Sequence, residues 1–403
     1  MRKLALFLAL ALLLALPGCG SETGLLAGVT ASQRGDASGA AELAADFTVE
    51  LFNAAYEGGD ALISPVSVLA ALAMAEAGAE GETLSQMEEV FGVDAETMRL
   101  ALSAYMSSVA GTEAKTANAI WFRDDGSFTP NEDFLADCAS FAGADVFADE
   151  FTSALAGKIN GWIEKHTDGM IKDVLDKIDP DAVMYLVNAL AFEADWAEQY
   201  REHQVGPGVF HAASGEMETE MMYSTESVYL SGKGFTGFMK PYEGGRYAFA
   251  ALLPDEDSSL EAMLGSLTGE TLAAALEGAE NTAVETETPG FSSEYDAELS
   301  ETLINMGMAD AFNGEKADFS GMGRSALGNL YINRVLHKTF IDVTPLGTRA
   351  GAATVVEMNA EGDLLVEDVK QVFLDRPFAY MIVDTQYNIP LFFGVVTGEG
   401  AAF

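Results

Sequence analysis

The chain has 403 residues and carries 21 Lys and Arg against 63 Asp and Glu, a net charge of −42. Hydrophobic residues make up 49% and charged residues 21%, which suits a large core and excludes a disordered acidic tail, since such a tail lacks the apolar surface to offset its ordering entropy. The charge also disfavours nucleic acid, whose phosphates need a basic face, and anionic membrane surfaces; it favours cationic partners.

Met1-Arg2-Lys3 precedes a wholly apolar run, Leu4 to Leu16. A basic start and an apolar stretch too short to span a bilayer read as a signal peptide, residues 1–18. The run closes on Leu16-Pro17-Gly18-Cys19, which resembles the lipobox of bacterial lipoproteins, where cleavage exposes the cysteine for lipid attachment. Pro17 is unusual there, so an ordinary secretion signal is the alternative; both export the protein from the cytoplasm. Residues 19–40 are rich in Gly, Ser, Thr and Ala and read as a flexible tether from a lipidated Cys19. Cys138 is then the only other cysteine. No internal disulfide is expected, and Cys138 reads as a small hydrophobe.

Residues 41–403 read as a single domain. Ala41–Tyr56 has helical spacing. Ser64 and Pro65 suit the cap and first position of a second helix reaching Ala77. Thr83–Phe91, Asp94–Val109 and Ala154–Thr167 continue the helical rhythm, with strand at Ala117–Phe122. Ala182–Phe192 is an apolar run that reads as a buried strand. Alternating segments from Phe210 to Pro254 predict antiparallel strands, Leu260–Leu276 a helix, and the rest mostly strand with one helix around Leu299–Met308. Helices first and strands last argue for an α+β fold rather than alternating βαβ units.

The four histidines, His166, His203, His211 and His337, form no zinc pattern. The chain contains no P-loop, no G-x-S-x-G elbow and no S-x-x-K motif. No metal, cofactor or catalytic residue is expected.

Val343–Val356 reads V-T-P-L-G-T-R-A-G-A-A-T-V-V, which resembles the reactive-loop hinge of the serpins, serine protease inhibitors of known fold. Further segments resemble the family in the same order: Ile63-Ser64-Pro65-Val66-Ser67, Asn188-Ala189-Leu190-Ala191-Phe192 with Trp196, Lys240-Pro241-Tyr242, Gly307 to Phe312, Ala317 to Met322, Asp375-Arg376-Pro377-Phe378 and Pro390 to Gly394. The resemblance implies helices packed around a large central mixed or antiparallel sheet, smaller sheets, and an exposed reactive loop near the C-terminus. It also implies a suicide substrate. A target serine protease cleaves the loop and forms an acyl-enzyme, and the freed loop enters the main sheet as a new strand, dragging the protease along. The implied partner is that protease, trapped covalently by a monomer.

The hinge residues Gly347, Thr348, Arg349, Ala350, Gly351, Ala352, Ala353 and Thr354 suit insertion. With Thr348 inward, the period of two turns Ala350, Ala352, Thr354 and Val356 inward as well. The charged Arg349 and Glu357 then face outward, and no proline interrupts the strip. Two positions depart from the family. Pro345 stands where an acidic residue is usual, and Arg349 where Glu is frequent. Pro345 is the feature that favours the alternative of a non-inhibitory surface-binding or storage member.

The family spacing from Gly347 sets the reactive bond between Glu361 and Gly362, with Ala360 as the competing position. An acidic or small reading residue directs expectation to elastase-like or glutamate-accepting proteases. Ser64, Ser67, Asn188 and His337 resemble the polar cluster under the main sheet where strands part. The role this implies is structural: hydrogen bonds that hold the gate.

Overall fold

A computed structural model describes residues 25–26, 31, 39–348 and 369–399. The chain runs through α1 (Gly39–Ala55), β1 (Ala61–Ile63), α2 (Pro65–Glu76), α3 (Gly81–Phe91) and α4 (Ala95–Val109). It continues with β2 (Ala114–Arg123), β3 (Phe128–Pro130), α5 (Glu132–Ala142), β4 (Asp145–Asp149), α6 (Ala154–His166), β5 (Met184–Phe192) and β6 (Ala194–Asp195). Strands β7 (Val205–Ala212), β8 (Gly215–Gly232), β9 (Phe235–Pro241) and β10 (Tyr247–Pro254) follow, then α7 (Leu260–Ser266) and α8 (Gly269–Glu277). Next come β11 (Glu280–Pro289), β12 (Phe291–Glu298), α9 (Ser300–Met306), β13 (Gly323–Ser325), β14 (Leu336–Val343) and β15 (Gly347–Thr348). The described part closes with β16 (Lys370–Phe373), β17 (Phe378–Asp384) and β18 (Ile389–Val396).

Local chemistry accounts for the boundaries that matter to the site. Helix α2 starts where the Ser64 hydroxyl accepts from the Ser67 N–H, and Pro65 takes the first position, where a missing N–H costs nothing. The apolar segment from Leu260 to Leu276 is two helices rather than one. Leu267 is extended, and Thr268 caps α8 by accepting from the Thr271 N–H. A hydroxyl that competes for backbone donors ends one helix and begins the next.

The largest sheet runs in the order β1-β18-β17-β10-β9-β8-β11-β16, with β7 added on β8. Strands β10, β17 and β18 are buried along their whole length and read as continuous apolar runs, as strands covered on both faces do. Helices α1 and α2 pack against β18, and their apolar side chains join the main core there. A separate layer carries the site. Three strands pair as β4-β2-β5, four as β12-β14-β15-β6, and β6 follows β5 after a single residue, Glu193. A second cluster of buried side chains, including Trp121, Trp162 and Ile163, packs α6 onto β2.

Candidate functional site

Strand β14 alternates strictly. His337, Thr339, Ile341 and Val343 are buried, and the residues between them are half-buried. At its end the chain reverses through Pro345 and Leu346. The Thr344 N–H donates to the Gly347 carbonyl at 2.9 Å, and the Thr344 hydroxyl donates to the same oxygen at 3.0 Å. Proline's fixed φ suits the leading position of such a turn, so Pro345 occupies a place where its ring fits.

The returning chain forms β15, seated between β14 and β6. Thr348 is opposite Val343 on one side and Ala194 on the other, and Gly347 is opposite Asp195. A Cβ on Gly347 would come within 2.3 Å of the Ala194 carbonyl oxygen, so the seat accepts glycine alone. Thr348 is 1% exposed, and its hydroxyl is 2.5 Å from that of Tyr242. Burial holds the Tyr242 phenol well above its ordinary pKa, so the neutral hydroxyl persists at every physiological pH. The turn is held from below by two neighbours. The Trp196 N–H donates to the Leu346 carbonyl at 3.0 Å, its indole Nε1–H to the Thr344 carbonyl at 2.8 Å, and the Tyr200 N–H to the Pro345 carbonyl at 3.0 Å. Trp196, buried in the core, therefore also carries the hinge. The Phe192 ring packs edge-on against Tyr242 at 4.9 Å.

Beyond Thr348 the pairing changes. Among the described residues β5 pairs only with β2, and β14 only with β12 and β15. The facing edges of β5 and β14 line a cavity of about 720 Å³. Apolar side chains line it from both faces of the layer, Val68 and Leu72 of α2 on one and Ile159 and Ile163 of α6 on the other. The layer thus contains a slot, closed at one end by β15.

Ser64, Ser67, Asn188 and His337 all border this slot. They form two arms. In one, the Ser64 N–H donates to Nε2 of His337 at 2.9 Å, and the Ser64 hydroxyl donates to the Leu391 carbonyl at 2.8 Å. In the other, the Ser67 hydroxyl donates to Oδ1 of Asn188, and Nδ2 of Asn188 donates to Oδ1 of Asn118 at 2.7 Å. Asn118 passes the chain on to the Ala142 carbonyl at 2.7 Å. Asn118 was not among the gate residues expected from sequence; it joins the arm because the β2–β5 ladder sets it opposite Asn188. The arms meet at Ser64 and Ser67, one helical turn apart at the start of α2. Burial pushes the His337 imidazole down to about 4, so the ring is neutral, with Nε2 the acceptor and the proton on Nδ1.

Cys138 is fully buried and its thiol is pushed far up by desolvation, which removes it as a nucleophile. The expectations made for Cys19, for Arg349, Ala350, Gly351, Ala352, Ala353 and Thr354, and for Ala360, Glu361 and Gly362 concern residues outside those described.

A family model described as Serpin (serine protease inhibitor) matches residues 42–398. Among curated proteins, a serpin-like protein of Thermococcus kodakarensis is 29% identical over 86% of this chain and 83% of its own length. Leukocyte elastase inhibitor A of Mus musculus is 30% identical over 87% of this chain and 97% of its own. Among solved structures, the native state of tengpin, a thermophilic serpin, superposes with a TM-score of 0.85 at 39% identity, covering 93% of this chain and 99% of tengpin.

Proposed function

From the premise that the chain belongs to the serpin family, we propose that it is a suicide-substrate inhibitor of serine proteases that traps the acyl-enzyme by sliding its cleaved loop into the slot between β5 and β14. The observation that carries this reading is the seat of Gly347 and Thr348: the first two residues of the strip already form a strand at one end of a slot whose remaining edges lack a partner among the described residues.

The register supports the rest of the path. Continued in steps of two past the Thr348–Val343 and Thr348–Ala194 pairs, the ladder sets Ala350 opposite Ile341 and Phe192, Ala352 opposite Thr339 and Leu190, and Thr354 opposite His337 and Asn188. Directly opposed residues share a face, and His337, Thr339 and Ile341 are buried. The inward positions thus receive Ala, Ala and Thr, while Arg349 falls on the outward face. Insertion strands no charge, and it brings a hydroxyl between the two arms of the polar cluster. Completing two ladders and burying the apolar side chains that line the slot is the free-energy source that drives the motion.

The target is an elastase-like or glutamate-accepting protease, read at Glu361 or Ala360; the leukocyte elastase inhibitor among the relatives supports that class. The protein is exported, tethered through Cys19, and acts as a monomer. Pro345 occupies the turn rather than the inserting strip, which supports the inhibitory reading over the non-inhibitory one. Incubation with elastase tests the reading. A complex that survives boiling in detergent is expected; cleavage of the loop without any such complex removes the proposal.

A further inference from the structure

Glu226 on β8 and Lys240 on β9 are 8% and 4% exposed. Burying two charges is costly unless geometry and hydrogen bonding repay the desolvation, so such a pair needs a reason. Lys240 Nζ lies 2.8 Å from Oε1 of Glu226, and the Ser224 hydroxyl donates to the same oxygen at 2.6 Å. Ser224 is tied in turn to the Thr286 hydroxyl of β11 at 2.9 Å. The ammonium also faces two rings, 4.3 Å from the centroid of Tyr200 and 5.6 Å from that of Trp196. A desolvated cation is drawn to aromatic faces more strongly than an exposed one, so it fixes where those rings sit.

Those rings belong to the two residues whose N–H groups hold the Pro345 and Leu346 carbonyls. Trp196 also holds the Thr344 carbonyl and stacks on Tyr242 at 4.5 Å, and Tyr242 meets Thr348. Four of the five residues from Thr344 to Thr348 are therefore reached from the ion pair through Trp196, Tyr200 and Tyr242: Pro345 and Leu346 by backbone N–H groups, Thr344 by the indole and Thr348 by the phenol.

We propose that the Lys240–Glu226 ion pair positions the hinge. By clamping Trp196 and Tyr200 it keeps β15 seated, and so sets how often a cleaved loop inserts before the protease escapes. The inference rests on the inhibitory reading above, and the pair touches neither loop nor protease in this role. Losing the pair lets Trp196 and Tyr200 drift, the turn loosens, Thr348 leaves its seat, and insertion starts later.

The test uses the full chain with Lys240→Met/Glu226→Met, which removes both charges and strands neither, and Lys240→Arg, which keeps a cation over the rings. Amide exchange in the uncleaved protein is the first measurement. In the double variant, peptides covering Trp196 to Tyr200 and Thr344 to Thr348 should exchange about 10-fold faster, with β17 and β18 unchanged, since local opening moves local amides only. The second is the number of inhibitor molecules consumed per elastase inactivated, which should rise severalfold in the double variant and stay close to the parent in Lys240→Arg. Unchanged exchange at the hinge overturns the proposal. So does exchange that rises equally in β17 and β18, which marks a general stability role, or faster hinge exchange with unaltered stoichiometry. If the parent itself forms no elastase complex, the inhibitory reading fails, and the exchange measurement still decides whether the pair seats the hinge.

Discussion

The backbone N–H of Ser64 points at Nε2 of His337, 2.9 Å away, joining the start of α2 to β14 across 273 positions of chain. That bond needs a neutral imidazole. With the ring pushed down from an ordinary 6.5 to about 4 by burial, the folded state binds this proton less readily than the unfolded chain. Its contribution to stability is complete above pH 6.5 and is lost as pH falls toward 4. At about 1.4 kcal/mol per pH unit, about 3 kcal/mol is at stake. Urea unfolding at pH 7 and pH 4 should show the parent losing roughly that much more than His337→Gln, whose side chain does not titrate. Equal losses in both proteins would remove the assignment.

Glu76 behaves with the opposite sign. It ends α2 at 1% exposure, and neither carboxyl oxygen has a hydrogen-bond partner among the described residues. Desolvation first, then the charge of Glu88, pushes its pKa up to about 8. A raised value means stability is present below the ordinary 4.5 and lost as pH rises toward 8. Glu76→Met should therefore raise the melting temperature clearly at pH 8 and little at pH 5, because replacing an unpaired buried charge is worth a few kcal/mol only where the charge exists.

The seat of β15 makes two substitutions informative. Gly347→Val forces a side chain into the space of the Ala194 carbonyl. Thr348→Arg buries a charge where a hydroxyl meets Tyr242, a cost of several kcal/mol. Both should turn the inhibitor into a substrate: elastase cuts the loop at the parental rate, and no detergent-stable complex accumulates. Thr348→Arg inhibiting as well as the parent would show that the strip enters in another register.

Glu361→Arg tests the reactive bond. Selectivity should move toward trypsin-like proteases, whose pockets take a cation, with elastase inhibition falling at least about tenfold, the loss that 1.4 kcal/mol of transition-state contact brings. Mass spectrometry of the cleaved parent gives the bond directly, and a cut distant from Glu361 sinks the assignment.

Much of this architecture is legible in the order of residues. A serine before a proline, then an apolar period, marks α2, and the family-like blocks carry the α+β class. What sequence does not carry is pairing between distant segments. Asn118 enters the polar arm only because the β2–β5 ladder sets it beside Asn188. Tyr242 reads as one residue of a strand-end motif until β15 folds back and brings Thr348 to it. The division of α7 from α8 is local but faint, since one threonine hydroxyl interrupts an otherwise continuous apolar rhythm. Helix α5 has clear local marks, with Asn131 accepting from the Asp133 N–H and Gly143 in the left-handed region at its end; its short apolar face leaves little period to read.

Strand β16 joins the chain parallel to β11, and β17 and β18 are buried throughout in the middle of the largest sheet. A break near Glu361 would consequently release no fragment. The severed tail keeps its place by apolar burial and by the ladders that β16, β17 and β18 form with β11, β10 and β1, and the product is a two-chain particle that migrates as one body until a denaturant parts it. Gel filtration without denaturant will thus miss the nick, and a tag fused at the C-terminus will report an intact molecule long after the bait has been spent.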